Sequence, residues 1–391
     1  MRDEKKMIRL LIIAILTWIW LPVWGIGLAA EHQLPYYEPS AACAQCHIDI
    51  HKMWANGMHA QAYDDPIFQA SFLQAFFETK GKATAACLSC HDPTSHVPEE
   101  FEVQRDIVGN GVTCDFCHTI AEVNLDRPEG PFVKTSGRVK TGPYTTAQSP
   151  VHTTERREFF KKSELCGGCH QLRAKTGVLI IGTYEEWKES PYASEGVECQ
   201  DCHMPVQKEK SIVSQGVKAP KRDVNLHNLA GGHSIEQVKM ALKVKIKEVK
   251  REGSILRVGV EVTNVGSGHQ TPTGTPSRKL LLKAIVRDKS GRLYLEDEKV
   301  FEKVLMDENK EILREDHDIF LKAARIYYDN RLSPKEVREV WYSFTIPYKD
   351  LLENYEQKLF IEAKAMYQYL PRVLAPHRME IEVASDVKRP L

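Results

Sequence analysis

Apolar and polar residues alternate one by one through much of the chain beyond about Met240. Ala241-Leu-Lys-Val-Lys-Ile-Lys has the period of a half-buried strand. Arg251-Glu-Gly-Ser turns the chain. Leu256, Val258, Val260 and Val262 then alternate again between Ile255 and Val265. A Gly/Pro/Thr loop runs to Ser277, Lys279 to Arg287 is the next strand, and Asp288-Lys-Ser-Gly291 is a turn. Further strands are expected at 293–304, 336–346, 357–368 and 378–384. Seven or so short strands separated by turns predict a β-sandwich over residues 239–391. The stretch 306–335 shows no clear pattern.

The other end of the chain has a third grammar. Arg2, Lys5, Lys6 and Arg9 precede an apolar run from Ile8 to Leu21, followed by Pro22 and small residues up to Ala29-Ala30. This is the layout of an export signal, with cleavage expected near Ala30. Met7 to Ala30 is also long enough to serve as an uncleaved anchor. Either way the remainder is expected outside the cytoplasm, in the periplasm or at the cell surface.

Between these segments, residues 31–238 carry all the cysteines. There are ten, and the last 189 residues hold none. They form five Cys-x-x-Cys-His motifs. The first is Cys43, Cys46 and His47, the second Cys87, Cys90 and His91, and the third Cys114, Cys117 and His118. The fourth is Cys166, Cys169 and His170, and the fifth Cys199, Cys202 and His203. This is the covalent haem attachment signature. Two thiols add to the two vinyl groups of one haem, and the adjacent histidine reaches the iron. A redox CxxC pair or a zinc site does not explain why histidine follows every pair. The expected cofactors are therefore five haem c groups. The motif starts are 44, 27, 52 and 33 residues apart, which is no repeat period. The haems would form much of the core, with short helices between them, giving a mainly α, haem-packed domain ahead of the sandwich. Lys+Arg and Asp+Glu each number 53, so nothing in the charge balance calls for nucleic acid. The haem propionates would make the mature protein more acidic.

Twelve of the fifteen histidines precede residue 235. Beyond the five motif histidines, His59, His152, His227, His233 and His269 are the candidate distal iron ligands. The competing explanation for each is an ordinary hydrogen-bonded histidine. His227 and His233 bracket Asn-Leu-Ala-Gly-Gly, whose glycines would admit a close porphyrin. His269 sits in the turn-rich Gly266-Ser-Gly-His-Gln-Thr-Pro-Thr-Gly274 and could reach back from the sandwich to cap a haem. His96 and His51 are weaker candidates, and His32, His317 and His377 fit solvated positions. Met204 fits a packing role better than an iron ligand. Aromatic residues such as Trp54, Phe68, Phe72, Phe116 and Trp187 gather around the motifs, where packing explains them as well as haem contact does.

The stretches CAQCHIDIHKMWANGMHA, GVTCDFCHTI, SPVH…CGGCHQ and TYEEWKESPYASEGVECQDCHMP, within residues 40–235, resemble the cytochrome c-554-like branch of multihaem cytochromes. That branch is related to hydroxylamine oxidoreductase and pentahaem nitrite reductase. HNLAGGHS, NVGSGHQTPTG and the strand-rich tail look like exported multihaem cytochromes with an appended β-sandwich. The resemblance implies that His59, His152, His227 and His233 are distal ligands. The sequence also departs from the enzymes of the group. Pentahaem nitrite reductases usually carry a CxxCK motif, whereas all five motifs here end in histidine.

Three functions follow as expectations. The ligand surplus favours an electron carrier with mostly bis-histidine haems. Its partners would be redox proteins, a quinol-oxidising membrane cytochrome or an extracellular acceptor. An oxidoreductase acting on a small nitrogen or sulfur oxo-compound needs one haem with an open position. A filament subunit would self-assemble and borrow a distal histidine from a neighbour. No catalytic residue is assignable from the sequence.

Overall fold

A computed structural model describes residues 37–95, 109–127, 130–135, 137–145, 148–211, 221–288, 290–347, 359–369 and 380–388. The export segment, His32, His96 and His377 lie outside these residues. Among the described residues no helix is long and apolar enough to cross a membrane.

Short elements succeed one another before residue 240. Five helices come first: α1 (Ser40–Ala44), α2 (Ile48–Ala55), α3 (Pro66–Thr79), α4 (Thr84–His91) and α5 (Cys114–His118). α3 is the long one, and its ends are well specified. The Asp65 carboxylate accepts from the Ile67 N–H at 3.2 Å, and Pro66 opens the first turn. Lys80 closes it in the left-handed region. Two strand pairs follow: β1 (Ile120–Val123) antiparallel to β2 (Phe132–Lys134), and β3 (Val139–Gly142) parallel to β4 (Thr153–Arg156). Then come α6 (Glu164–Gly167), β5 (Leu172–Arg173), β6 (Leu179–Ile181), α7 (Thr183–Lys188), α8 (Pro191–Ser194), α9 (Cys199–His203), β7 (Val206–Lys210), β8 (Arg222–Asn225) and α10 (Ile235–Lys239).

Four two-stranded ribbons thus run among the helices, and this part is mixed rather than mainly helical. Over the described residues strand, at 35%, exceeds helix, at 25%. The cause is local. Val139, Thr141, Thr153 and Thr154 are β-branched, and Pro131 and Pro143 stop any continuing helix.

The second part is the alternating pattern made solid. β9 (Leu242–Glu252), β10 (Ile255–Asn264), β11 (Lys279–Arg287), β12 (Leu293–Phe301), β13 (Lys303–Met306), β14 (Arg325–Asp329), β15 (Val337–Thr345), β16 (Phe360–Gln368) and β17 (Glu380–Lys388) follow in order. One sheet has the order β15-β10-β9 and the other β12-β11-β16-β17. Inward residues of both sheets, among them Val258, Val260, Leu280, Leu282, Ile361 and Ala363, share one buried cluster. Two details differ from the sequence expectation. The strand expected over 293–304 breaks at Glu302, and β13 leaves the sheet to pair with β14. Lys303 is drawn inward at the break, where its ammonium donates to the carbonyls of Leu179 (2.7 Å) and Ile180 (3.2 Å). The patternless stretch 306–335 holds α11 (Asp316–Lys322) as well as β14.

This departure from the sheet joins the two parts. Ile180 of β6, Leu305 of β13, and Ile319 and Ala323 at α11 form a second buried apolar cluster. Glu78 at the end of α3 pairs with Lys322 of α11 at 2.7 Å. Tyr37–Leu391 cluster as one unit.

Candidate haem-binding site

Helix starts place the motifs. The Thr113 hydroxyl caps α5 by accepting from Phe116 N–H at 3.1 Å, which fixes the Cys114–His118 turn. Glu198 and Asp201 form a reciprocal capping box at the start of α9, around Cys199 and Cys202. The first motif is built differently. Cys43 lies on α1, but Cys46 falls beyond the helix end, in the turn that leads to α2. Cys46 is held there by its N–H, which donates to Cys43 O at 3.2 Å, and His47 N–H donates to the same carbonyl at 2.9 Å. In the fourth motif Cys169 likewise follows the end of α6, with its N–H on Cys166 O at 3.1 Å. In every motif one turn of chain brings two thiols and the following imidazole together. All ten cysteines are free thiols, as vinyl addition requires, and Cys46 is half-buried like most of them.

Imidazoles then meet in pairs from distant parts of the chain. His47 faces His152 with ring centres 6.5 Å apart, and His170 faces His59 at 6.2 Å. His118 faces His227 at 6.4 Å, and His203 faces His269 at 6.3 Å. These separations are too long for ring stacking. They suit a metal between two nitrogens: with metal–nitrogen bonds of about 2.0–2.1 Å on each side, and each nitrogen about 1.1 Å from its ring centre, trans imidazoles lie roughly 6.3 Å apart. The residues present therefore fit haem iron at four of the five motifs.

Tautomer and charge agree with that fit. Nδ1–H donates to a backbone carbonyl in His118 (Thr141, 2.7 Å), His203 (Ala230, 2.6 Å), His227 (Asn225, 2.8 Å) and His269 (Gln270, 2.9 Å). Nε2 is left with its lone pair, and the ring orientation is fixed. Burial disfavours the imidazolium, pushing His59 down to about 4, His170 to about 3 and His227 to about 4. Neutral imidazole is the form that binds metal.

The backbone holds the distal partners closely. Gly111 runs past His59 with φ +65°, where a Cβ would come within 2.4 Å of the His59 carbonyl. His59 O accepts there from Val112 N–H at 2.8 Å. Gly232 likewise lies against the Tyr367 hydroxyl, which a Cβ would approach to 2.7 Å.

The second motif differs. His91 donates Nδ1–H to Ala62 O at 2.9 Å, and its ring stacks on Phe68 at 3.7 Å and 9°. Among the described residues no imidazole faces it as in the four pairs. His233, the remaining candidate ligand, packs against the Tyr369 ring at 5.1 Å. The Asp65 carboxylate acts on both His91 and His233, and the Arg278 guanidinium also acts on His233. His51 lies against Trp54 at 5.3 Å. Met204 ends α9, where its N–H donates to Gln200 O at 2.9 Å.

Thiols of different motifs also touch. Cys43 lies beside Cys114, Cys90 beside Cys169, and Cys166 beside Cys199. Cys117 lies within electrostatic range of Cys166 and Cys169. The first motif is thus beside the third, and the fourth is beside the second, third and fifth. Within the first motif the contact runs through Cys43. Cys46 sits outside these contacts, so its place in the site rests on the motif spacing and its turn. Lys134 stands in this region. Its ammonium donates to Phe116 O at 2.6 Å and lies 3.3 Å from the centre of the Phe116 ring. Burial lowers it to about 7.

One other group of potential metal ligands exists among the described residues: Glu78, His317 and Asp318. The Lys322 ammonium sits 2.7 Å from Glu78 and 2.6 Å from Asp318, so a cation already occupies that cluster.

A family model described as cytochrome c554 and c-prime matches residues 42–119, and one described as cytochrome c552 matches residues 179–270. A penta-heme cytochrome c552 from Thermochromatium tepidum has the same fold. Its TM-score is 0.67 at 22% identity, over 90% of this chain and 99% of that one. Two cytochrome c family models thus match parts of this chain, and a penta-heme cytochrome shares its fold, which supports a multihaem c-type cytochrome with a β domain. No curated protein matches its sequence. A beta-glucuronidase 2 from Bacteroides uniformis aligns over 38% of this chain and 12% of its own, at 11% identity and a TM-score of 0.17. A CARDB domain from Pyrococcus furiosus aligns over 39% and 86%, at 14% identity and a TM-score of 0.18. Scores that low carry no argument.

Proposed function

We propose that this chain is an exported electron carrier with five covalently attached haems. The observation that carries the proposal is the set of four facing imidazole pairs, each spaced so that its two rings could hold one metal between them. Cys43 with Cys46, Cys87 with Cys90, Cys114 with Cys117, Cys166 with Cys169 and Cys199 with Cys202 would hold the porphyrins. His47 with His152, His170 with His59, His118 with His227 and His203 with His269 would hold four irons, and His91 the fifth. Haem iron, when bound, supplies a one-electron couple whose potential follows axial ligand, burial and hydrogen bonding.

The adjacency of the motifs supports an order for the route, from the first to the third and from the third to the fourth. From the fourth the path divides toward the second and the fifth. Two ends of such a path suit two partners in the compartment outside the cytoplasm. A quinol-oxidising membrane cytochrome is the proposed donor, and a further redox protein or an extracellular acceptor takes the electrons.

His91 supports a second reading, that of an oxidoreductase. It has Phe68 beside it and the Asp65 charge nearby, with no facing imidazole among the described residues. An iron held there by His91 alone would keep a position for a small substrate, which is what that reading requires. Low-temperature EPR on the oxidised protein, with spins counted before and after nitrite, separates the two. Five low-spin irons that ignore nitrite establish the carrier. One high-spin iron that shifts with nitrite establishes an enzyme candidate and overturns the simple carrier.

A further inference from the structure

The imidazole facing His203 comes from the β part, and a buried charge network lies at the point where it crosses. His269 is on the loop after β10. Thr271 and Leu332 exchange backbone hydrogen bonds at 2.9 and 3.0 Å, tying the loop to the segment before β15. Asn264 donates to His269 O at 3.1 Å and to Leu332 O at 3.3 Å. Next to Leu332, Arg331 donates to Pro272 O at 3.1 Å and grips Asp329 at 2.8 and 2.7 Å. The same guanidinium meets Glu186 of α7 at 2.8 Å, with 6% and 7% of the two side chains exposed. Glu186 also accepts from the Thr273 hydroxyl at 2.6 Å.

Glu186 belongs to the motif-bearing part, between the fourth and fifth motifs. Arg331 and Thr273 belong to the β part. Taking such charges out of water is unfavourable, and apolar replacements often hold a fold as well. What an ion pair adds is direction: it tolerates one arrangement of its two sides and resists others. Here the two sides are α7, shortly before the fifth motif, and the loop that carries His269.

We infer that Glu186 and Arg331 are positioning residues for His269, holding it at the sixth position of the haem on His203. This rests on the proposed ligand pair His203 and His269. The pair of charges acts through the loop, not on the iron. Losing it would leave the sandwich folded and release the loop at residues 271–273, so that the imidazole is present but wrongly placed.

The test uses the full haem-loaded protein and three variants: H269A, E186Q and R331M. Each is checked for haem content and far-UV circular dichroism, then read by low-temperature EPR with spin counting. H269A should turn one iron in five from low-spin to high-spin. E186Q and R331M should turn a measurable fraction of that same iron, and excess imidazole should restore low spin in all three. E186Q keeps the side chain's size, so it remains informative should R331M fail to accumulate. If H269A opens one iron while folded E186Q gives a wild-type spectrum, the positioning role is wrong and the ligand pair stands. If H269A opens none, the ligand pair itself is wrong, and the positioning role falls with it.

Discussion

The two parts of this chain solve the problem of a core in opposite ways. Among the described residues, twenty-six buried apolar side chains lie after residue 240 and only ten before it. The sandwich closes on its own side chains in one continuous cluster. Among the described residues, no buried apolar cluster lies within the motif-bearing part alone. Its nearest one, around Ile180, is shared with β13 and α11. That part instead arranges short helices and ribbons around facing imidazoles. One region is therefore packed by its sequence. The other is laid out for groups the sequence must acquire.

The largest effect should come from withholding those groups. With all ten motif cysteines changed to alanine, limited proteolysis of the full chain should degrade the region before residue 240 and leave a resistant fragment covering most of 240–388. Equal resistance of both regions would erase the contrast. Next in size is the sandwich core. Leu282→Ala, at a fully buried position, should cost about 2–5 kcal/mol in denaturant unfolding of the β part. It should leave the haem spectrum unchanged, and a spectral change would mean the two regions are not separately packed.

Acidity offers a smaller probe. Burial lifts the Asp316 carboxyl from its usual 3.8 to about 6. The folded state then keeps a proton that the unfolded chain has already lost. This contribution is most favourable below about pH 4, declines as pH rises toward 6, and stays low above it. Asp316→Asn should remove the decline and raise stability at pH 8 by about 1–3 kcal/mol, with no gain at pH 4. Equal effects at both pH values would refute it. The smallest effect concerns Lys134. A buried cation near the third and fourth motifs favours the reduced state, so Lys134→Met should lower one potential by some tens of millivolts, on the order of 1 kcal/mol. Potentiometric titration reads this directly, and an unchanged titration would exclude it.

Legibility in the sequence followed the same division. Alternation announced β9 and β10, whose two faces differ in burial, whereas β11 shows only as an apolar run buried on both faces. Lys303 hid the break after β12, because a lysine at an inward position looks like any charged strand residue until its carbonyl partners at 179 and 180 are known. The motifs were plain, since vinyl chemistry fixes their spacing. That spacing does not fix the local backbone, so Cys114 and Cys117 share a helix while Cys46 sits past the end of the one that carries Cys43. The ribbons between the motifs were not plain, because such short strands give period too few residues to show. Distal histidines could be nominated only as a group. The carbonyls that orient His227 and His269, at Asn225 and Gln270, are backbone atoms and leave no mark in composition. Glu186 and Arg331 were invisible for a related reason: a charged residue reads as surface until its partner, 145 positions away, is found.

The facing histidines overlap like links of chain mail. They span residues 47 to 152, 59 to 170, 118 to 227 and 203 to 269, with no gap between consecutive spans. Any cut between 47 and 269 separates at least one pair. Loss of the first, third, fourth or fifth motif would strand a facing histidine elsewhere in the chain. Discarding the sandwich would take His269 along. The heritable unit is the whole woven block, and during synthesis its last strand is in place only when the β part has been made.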